Sequence, residues 1–352
     1  MVLATSINLD TIAVSAKNNN DVVRFVSDGY DMITLNINDL EVNDDEAGTT
    51  VSLIRGVLRG LKDHGYKIGG FNAYATSDVL VGAGLSSSAA FEVVVGTIIS
   101  GLYNDMKINS VEIAQISQYA ENVFFKKPCG LMDQMACSVG GMVNIDFKDP
   151  TKPIVKKVPT EFEKYDYSLC IVDTKGDHVD LTDDYAMIPS EMKKVANFLG
   201  EDYLRDCDSN EFYIRLDEIR EAVGDRPVLR AIHFFNEEYN VKNAVSSLEN
   251  GKFVEFLDAI RKSGNSSFKY LQNVYTTRDI QHQNISVALA LSESLLRNYG
   301  VCRVHGGGFA GTIQAFVKND FVSNYKEFIN KIFGENSCHV LKVRKYGGIK
   351  VM

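Results

Sequence analysis

A glycine- and serine-rich loop is the segment of this chain whose residue types most clearly suggest chemistry. Small residues let a backbone approach a polyphosphate, and a helix N-terminus directs amide N–H groups and a positive dipole at an anion. A serine hydroxyl could also reach a phosphate-bound metal. The alternative is a turn that only caps a helix, because serine is a good N-cap residue. The loop residues are Gly82, Ala83, Gly84, Leu85, Ser86, Ser87 and Ser88, and an apolar helical pattern follows them to residue 103.

Two carboxylates lie twelve residues apart, on either side of a break in the helical pattern. Glu121 falls in a predicted helix at 111–125, and Asp133 begins a short helix after Pro128 and Gly130. Magnesium prefers hard oxygen ligands with one or two from carboxylates, so Glu121 with a serine hydroxyl fits it. Asp133 could then take the proton from a hydroxyl that attacks a γ-phosphate. The alternative, which is the usual case for isolated acids, is that Glu121 and Asp133 are two solvated charges on helices.

A second glycine cluster, Gly306-Gly307-Gly308, follows His305 near the C-terminus. Its neighbours are strand-like, so it predicts a tight turn where main chain approaches a ligand or another segment. His305 could act as a base, although a histidine beside a glycine turn is more often structural.

The elements around these residues alternate irregularly between strands and helices, which predicts an α+β fold. The stretch 149–153 predicts either the start of an inter-domain connection or a hairpin loop. Strand patterns occur at 11–16, 22–26, 32–37, 71–79, 142–147, 167–173 and 312–317, and helical patterns at 51–65, 183–198, 210–223, 240–263, 283–298 and 321–333.

Length and charge limit the classes of function. A chain of 352 residues is expected to form two domains. The net charge of −9 argues against a nucleic-acid partner. No apolar run reaches the ~18 residues of a membrane span, and the first residues lack a signal-peptide pattern. We therefore expect a soluble, cytoplasmic protein.

Taken together, these segments resemble the galactokinase branch of the GHMP kinases. VGAGLSSSAA at 81–90 is similar to the family's ATP loop, and CGLMDQ at 129–134 to its catalytic-aspartate segment. VHGGGFAGTIQAFV at 304–317 is similar to its third motif. DLTDDYAMIPSEM at 180–192 is similar to the segment with a sugar-contacting tyrosine, here Tyr185. The order and spacing of the segments agree, which makes the resemblance more specific than any single motif.

The resemblance implies a two-domain α+β GHMP kinase fold, with domains at 1–160 and 161–352 and the active site in the cleft between them. It implies ATP-dependent phosphorylation of the anomeric hydroxyl of galactose to galactose 1-phosphate. Residues Gly82 to Ser88 would then wrap the ATP phosphates, and Ser88 and Glu121 would hold Mg²⁺. Asp133 would be the catalytic base and Tyr185 would touch the sugar. His305 stands where the family commonly has threonine, and Ala310 where it commonly has glycine.

One departure from the family pattern concerns the sugar site. The family opens with a segment resembling GRxNLxGEHTDYxxG, whose Glu-His-Asp residues grip the sugar, and this sequence begins where that segment would have ended. We therefore expect either a truncated version of a longer protein or a protein that has lost much of its sugar site. Two alternatives stay open: a kinase for a related sugar such as N-acetylgalactosamine or galacturonate, and a non-catalytic sugar or nucleotide sensor.

Overall fold

A computed structural model describes residues 1–79, 84–149, 151–160, 162–176, 181–309 and 311–352. The chain divides into two compact units. The first unit contains residues 3–145, 155–157 and 343–352, and the second contains 1–2, 146–154 and 158–342. The predicted domain boundary at residue 160 stays a prediction.

The described residues form mixed strands and helices, and π-helical turns at Ala120–Phe124 and Ser267–Leu271 extend two of the helices. The strands are β1 (Val2–Thr5), β2 (Thr11–Lys17), β3 (Val22–Ser27), β4 (Ile33–Asn36), β5 (Phe71–Ser77), β6 (Met142–Asp146), β7 (Ile154–Val158), β8 (Tyr167–Asp173), β9 (Gly300–Val304), β10 (Thr312–Lys318) and β11 (Cys338–Leu341). The helices are α1 (Thr50–Asp63), α2 (Ser87–Tyr103), α3 (Ser110–Tyr119), α4 (Met132–Val139), α5 (Thr182–Phe198), α6 (Ser209–Ile214), α7 (Leu216–Val223), α8 (Asp225–Glu249), α9 (Phe253–Ser266), α10 (Asn284–Leu295) and α11 (Val322–Phe333), with 3₁₀ turns at Asp44–Glu46, Phe162–Tyr165 and Asn319–Phe321.

The first unit is built on a sheet with the strand order β2-β5-β3-β4. β5 pairs antiparallel with β2 and parallel with β3, and β3 pairs antiparallel with β4. Successive side chains of a strand alternate between faces, so one face of this sheet can be apolar throughout. That face carries Phe25 and Phe71, which share a buried core with Leu58 of α1 and Ile99 of α2. The sheet and α1 thus provide the base on which α2 is held.

The second unit contains an antiparallel sheet with the order β11-β8-β10-β9. Its buried face carries Val172 and Ile313, which pack with Ile285 of α10 and Tyr325 of α11. A separate apolar cluster, including Val195 and Phe212, joins α5 to the helices that follow it.

Two predicted helices were wrong in their extent. The pattern at 240–263 predicted one helix, but α8 ends at Glu249 and α9 begins at Phe253. Gly251 in the intervening turn has a φ of +69°, which glycine adopts without strain. The pattern at 210–223 is likewise two helices, α6 and α7, separated at Arg215. Apolar residues continue on both sides of each break, so periodicity alone does not reveal it.

Most of the other predicted elements are present, and the α+β prediction is confirmed. The stretch 149–153 lies in the loop between β6 and β7, which are neighbours in a sheet of order β1-β6-β7. This agrees with the hairpin loop that was one of the two predictions for the stretch. Pro150 itself lies outside the described residues. The patterns did not predict β1 or β7, which are short strands of this sheet. Within the described parts of the chain, no helix combines the length and apolar character needed to cross a membrane.

Candidate active site

The start of α2 does not look like an ordinary helix cap. Ser86 occupies the N-cap position with φ 60° and ψ 48°, a left-handed conformation, and its side chain makes no capping hydrogen bond. Instead its hydroxyl donates to Asp133 Oδ2 at 2.6 Å. The first N–H groups of any helix have no partner within the helix. Because Ser86 does not cap them, these amides of α2 can receive an anion.

One turn into α2, the second serine of the loop reaches the other predicted carboxylate. Ser88 Oγ donates to Glu121 Oε1 at 2.9 Å. Glu121 is only 2% exposed and lies in the π-helical turn after α3. Lys127 Nζ is 3.1 Å from the same Oε1. Burial is the largest influence on Lys127 and opposes its charge, but the hydrogen bond to Glu121 together with the nearby negative charges outweighs burial and raises the pKa of Lys127.

The chain reverses between these two carboxylates through a set of local hydrogen bonds. The backbone N–H of Cys129 donates to Asn122 Oδ1 at 2.7 Å, and Gln118 Nε2 donates to the Cys129 carbonyl at 3.0 Å. α4 then begins at Met132, which places Asp133 in its first turn, where an anion is favoured by the helix dipole. Asp133 is exposed to solvent. The break at Pro128 and Gly130 thus positions both carboxylates at the start of α2.

A third acidic side chain, which the sequence patterns do not reveal, lies behind this group. Glu92 is fully buried on α2, and desolvation, reinforced by the charge of Glu121, raises its pKa to about 9. Gln134 Nε2 donates to Glu92 Oε2 at 3.3 Å and to Glu121 Oε2 at 2.7 Å. The one signal in the sequence was a single acid within the apolar run that forms α2.

Hard oxygen atoms at the start of α2 suit a small divalent cation. Ser88 and Glu121 offer a hydroxyl and a carboxylate within 2.9 Å of each other. Over the residues that the structure describes, no cluster of three or more His, Cys, Asp or Glu side chains could hold a metal. Mg²⁺ is commonly bound by one or two carboxylates together with substrate phosphates rather than by a cage of protein ligands. The donor set therefore fits a cation that arrives with a phosphate-bearing ligand.

The second unit contains another group of predicted residues around the glycine triplet. Tyr185, on α5, donates its hydroxyl hydrogen to the Gly308 carbonyl at 2.8 Å, and its ring meets Phe309 edge to face at 5.0 Å. A Cβ at Gly307 would lie 2.8 Å from the Tyr185 ring. The tyrosine is therefore locked in place, with 36% of the residue exposed.

Asn273, which the sequence patterns do not reveal, holds this glycine turn from a distant part of the chain. Its carbonyl accepts from the Phe309 N–H at 2.6 Å, and its Nδ2 donates to the Gly307 carbonyl at 3.1 Å. At Gly308, φ is +82° and a Cβ would lie 1.9 Å from the Asn273 carbonyl, so only glycine fits. His305 pairs through Nδ1 with Thr312 Oγ1 at 2.9 Å, which is a structural contact between neighbouring strand ends.

The structure thus gathers the predicted residues into two groups. Asp133 and Glu121 meet the serines of the loop in the first unit, and Tyr185 meets the glycine triplet in the second. Leu85 is half-buried just before the helix, and Ser87 is the first residue of α2. Gly82 and Ala83 lie outside the described residues, whereas Gly84 is described and has a φ of +66°.

Comparison with known sequences confirms the resemblance drawn from the motifs. Residues 52–141 match the family model for the GHMP kinase N-terminal domain. A galactokinase of Limosilactobacillus reuteri is 30% identical over 310 residues, which cover 86% of this chain and 75% of the relative. A galactokinase of Streptomyces coelicolor is 28% identical over 314 residues, covering 87% and 76%.

Comparison with solved structures confirms the fold. A galactokinase of Lactococcus lactis, solved in complex with galactose, superposes with a TM-score of 0.81 at 22% identity, covering 98% of this chain and 88% of that one. A mevalonate kinase superposes with a TM-score of 0.61 at 15% identity, covering 97% and 92%. The architecture is therefore that of the GHMP kinases.

Proposed function

This chain belongs to the galactokinase family of the GHMP kinases, and on that premise we propose that it transfers the γ-phosphoryl group of ATP to the anomeric hydroxyl of galactose. The single observation that carries the proposal is the pair of hydrogen bonds at the start of α2. Ser86 binds Asp133 at 2.6 Å and Ser88 binds Glu121 at 2.9 Å, so an uncapped helix N-terminus has one exposed and one buried carboxylate beside it. Phosphoryl transfer needs positioned groups for the phosphates, the metal and the proton of the acceptor, and these residues can supply all three.

Asp133 is proposed as the catalytic base. Its carboxylate is exposed, and the hydroxyl of Ser86 fixes its orientation through Oδ2. Oδ1 can then accept the proton of a sugar hydroxyl as the sugar oxygen attacks the γ-phosphorus. A positioned base of this kind contributes about 10²–10⁴-fold to a rate.

Ser88 and Glu121 are proposed to hold Mg²⁺, and residues Gly82 to Ser88 to surround the phosphates. The cation, when bound with ATP, neutralises charge that builds up on the transferring phosphoryl group. Lys127 lies 3.1 Å from Glu121 and adds positive charge at the same place. The uncapped amides of α2 add a further positive potential from the helix dipole.

Tyr185 is proposed to contact the sugar through its oxygen lone pairs. Its hydroxyl hydrogen is already donated to the Gly308 carbonyl, so the oxygen remains as an acceptor for a sugar hydroxyl. The close approach of Gly307 fixes the ring, which reduces the entropy lost when a sugar binds.

The proposal is tested by incubating the chain with Mg²⁺, ATP and a panel of sugars, and by identifying the phosphorylated product by ³¹P NMR. We expect galactose to yield a sugar 1-phosphate. Equal or faster turnover of N-acetylgalactosamine or galacturonate would assign another acceptor to the same chemistry. Nucleotide binding without any sugar-dependent turnover would support a sensor instead.

A further inference from the structure

Gln134 joins two carboxylates that come from different elements of the first unit. It follows the proposed base, Asp133, on α4 and is 1% exposed. Its Nε2 donates to Glu121 Oε2 at 2.7 Å and to Glu92 Oε2 at 3.3 Å. An amide nitrogen has two hydrogens, so one side chain can hold both carboxylates at once.

Glu92 supports this arrangement from inside the core. It follows Ser88 by four residues, one helical turn, and is completely buried. The two carboxylates and the amide therefore connect α2, the π-helical turn and α4, the three elements that carry the residues proposed for the metal and for the base. Side chains behind a metal ligand orient it, and their loss typically reduces metal affinity or activity 10–100-fold.

A contribution to stability alone does not explain the arrangement of Gln134 and Glu92. Glu92 Oε1 and Gln134 Oε1 are both buried without a hydrogen-bond partner in the described structure. A buried polar atom without a partner destabilises a fold, and apolar replacements of similar shape are often neutral or stabilising. An arrangement that costs stability but persists next to a metal ligand indicates a role in the site.

We propose that Gln134 and Glu92 are positioning residues that hold the Glu121 carboxylate in the orientation needed to bind the metal that accompanies ATP. This inference rests on the proposed role of Glu121. Gln134 holds Glu121 Oε2, so Oε1, which accepts from the Ser88 hydroxyl and lies 3.1 Å from Lys127 Nζ, is the oxygen that would bind the cation. Without the amide, the Glu121 carboxylate can rotate out of this orientation, and the cation would lose a preorganised ligand.

The test measures Mg²⁺-dependent binding of a fluorescent ATP analogue to the full chain, with thermal unfolding recorded for each variant. Gln134→Leu should raise the half-saturating Mg²⁺ concentration about 10-fold or more, while the melting temperature stays equal or rises. Glu92→Leu should act in the same direction. Glu92→Gln keeps an oxygen that can accept from Gln134, so this variant should retain most of the Mg²⁺ affinity that Glu92→Leu loses. A role in stability alone would lower the melting temperature and leave the Mg²⁺ dependence unchanged.

Ser138→Ala is the matched control on the same helix. Ser138 is 3% exposed and donates to the Ser110 carbonyl at 2.7 Å, away from the carboxylates. It should lower the melting temperature without changing the Mg²⁺ dependence. If Glu121→Ala raises the half-saturating Mg²⁺ concentration but Gln134→Leu does not, the inference is overturned and the proposed function stands. If Glu121→Ala also has no effect, the metal role of Glu121 fails and the inference fails with it.

Discussion

The helices α1 and α2 lie in the same unit but begin in opposite ways. Thr49 caps α1 from an extended conformation, and its hydroxyl oxygen accepts from the Ser52 N–H at 3.5 Å. Ser86 stands at the equivalent position of α2 in a left-handed conformation, and its hydroxyl donates to a carboxylate on another helix. The Thr49 hydroxyl therefore caps its own helix, whereas the Ser86 hydroxyl binds a side chain of α4.

The buried ionisable side chains of the two helices show the same difference. Arg55 of α1 is 6% exposed, and its guanidinium donates to both oxygens of Glu46, at 2.9 and 2.7 Å. Glu92 of α2 is fully buried next to another acid, and one of its oxygens has no partner in the described residues. The polar groups of α1 are thus satisfied locally, whereas those of α2 are arranged around a site. A serine-rich helix start therefore indicates function when its hydroxyls bind side chains rather than the helix amides.

The largest expected effect is on kcat, which should depend on the carboxylate at the start of α2 and not on the one that pairs with α1. Asp133→Asn should reduce kcat by roughly 10²-fold or more, since the amide cannot accept the sugar proton. The affinity for MgATP should remain within a few-fold. Glu46→Gln, which removes the carboxylate that pairs with Arg55 of α1, should leave kcat near its original value. Steady-state kinetics of the three proteins measure this. Loss of ATP binding in Asp133→Asn would place Asp133 at the metal instead.

The next effect concerns nucleotide binding at the start of α2. MgATP at 100 times its Kd should stabilise the chain by about 2.7 kcal/mol, even without sugar. Ser88→Leu should abolish this increase, because a bulky apolar side chain removes a proposed ligand and crowds the phosphates. Thr49→Ala should retain the increase in full. Thermal unfolding with and without millimolar MgATP compares them, and a wild-type chain indifferent to MgATP would contradict phosphate binding.

The contributions to stability of Glu46, which pairs with Arg55 of α1, and of Glu92 in α2 should depend on pH in opposite directions. The hydrogen bond to Arg55 lowers the pKa of Glu46 below 4.5, so its contribution to stability is present above pH 4.5 and is lost as the pH falls further. Burial raises the pKa of Glu92 from 4.5 to about 9, so its contribution is present below pH 4.5 and is lost as the pH rises toward 9.

Urea unfolding between pH 5 and 8 therefore distinguishes two isosteric variants. Glu92→Gln should gain stability relative to the wild type as the pH rises, by up to about 1.4 kcal/mol per pH unit. Glu46→Gln should be less stable than the wild type across this range, and the difference should disappear only in acid. Parallel pH profiles for Glu92→Gln and the wild type would mean that Glu92 is solvated or paired.

The residues that the sequence could predict belong to short segments with several constraints at once. Three consecutive serines at a helix start exceed what a cap needs, and a Pro/Gly break between Glu121 and Asp133 implies a reversal of the chain. The close pairing of these carboxylates with Ser86 and Ser88 follows from that reversal.

Glu92, Gln134 and Asn273 could not be predicted because their environment is created by distant parts of the chain. The high pKa of Glu92 depends on burial and on Glu121, 29 residues away in the sequence. Asn273 binds Gly307, 34 residues away, and nothing local to Asn273 indicates this. The break between α8 and α9 escaped detection because the apolar period continues across it.

The smallest expected effect is the change in the free energy of unfolding when each of the two N-cap residues is replaced, and its sign should differ between them. Thr49→Ala removes a cap and should destabilise the chain by about 0.5–1 kcal/mol, at the low end for caps because the hydrogen bond is long. Ser86→Gly removes no cap, and it relieves a left-handed conformation that costs a non-glycine residue roughly 1 kcal/mol. Glycine also gains entropy in the unfolded chain, which offsets part of this relief. Ser86→Gly should therefore be neutral or stabilising, while kcat falls because Asp133 loses the hydroxyl that orients it. Urea unfolding of both variants at one pH, with kinetics on the same samples, provides the measurement. If Ser86→Gly destabilised the chain as much as Thr49→Ala and left kcat unchanged, the start of α2 would be a structural cap like that of α1.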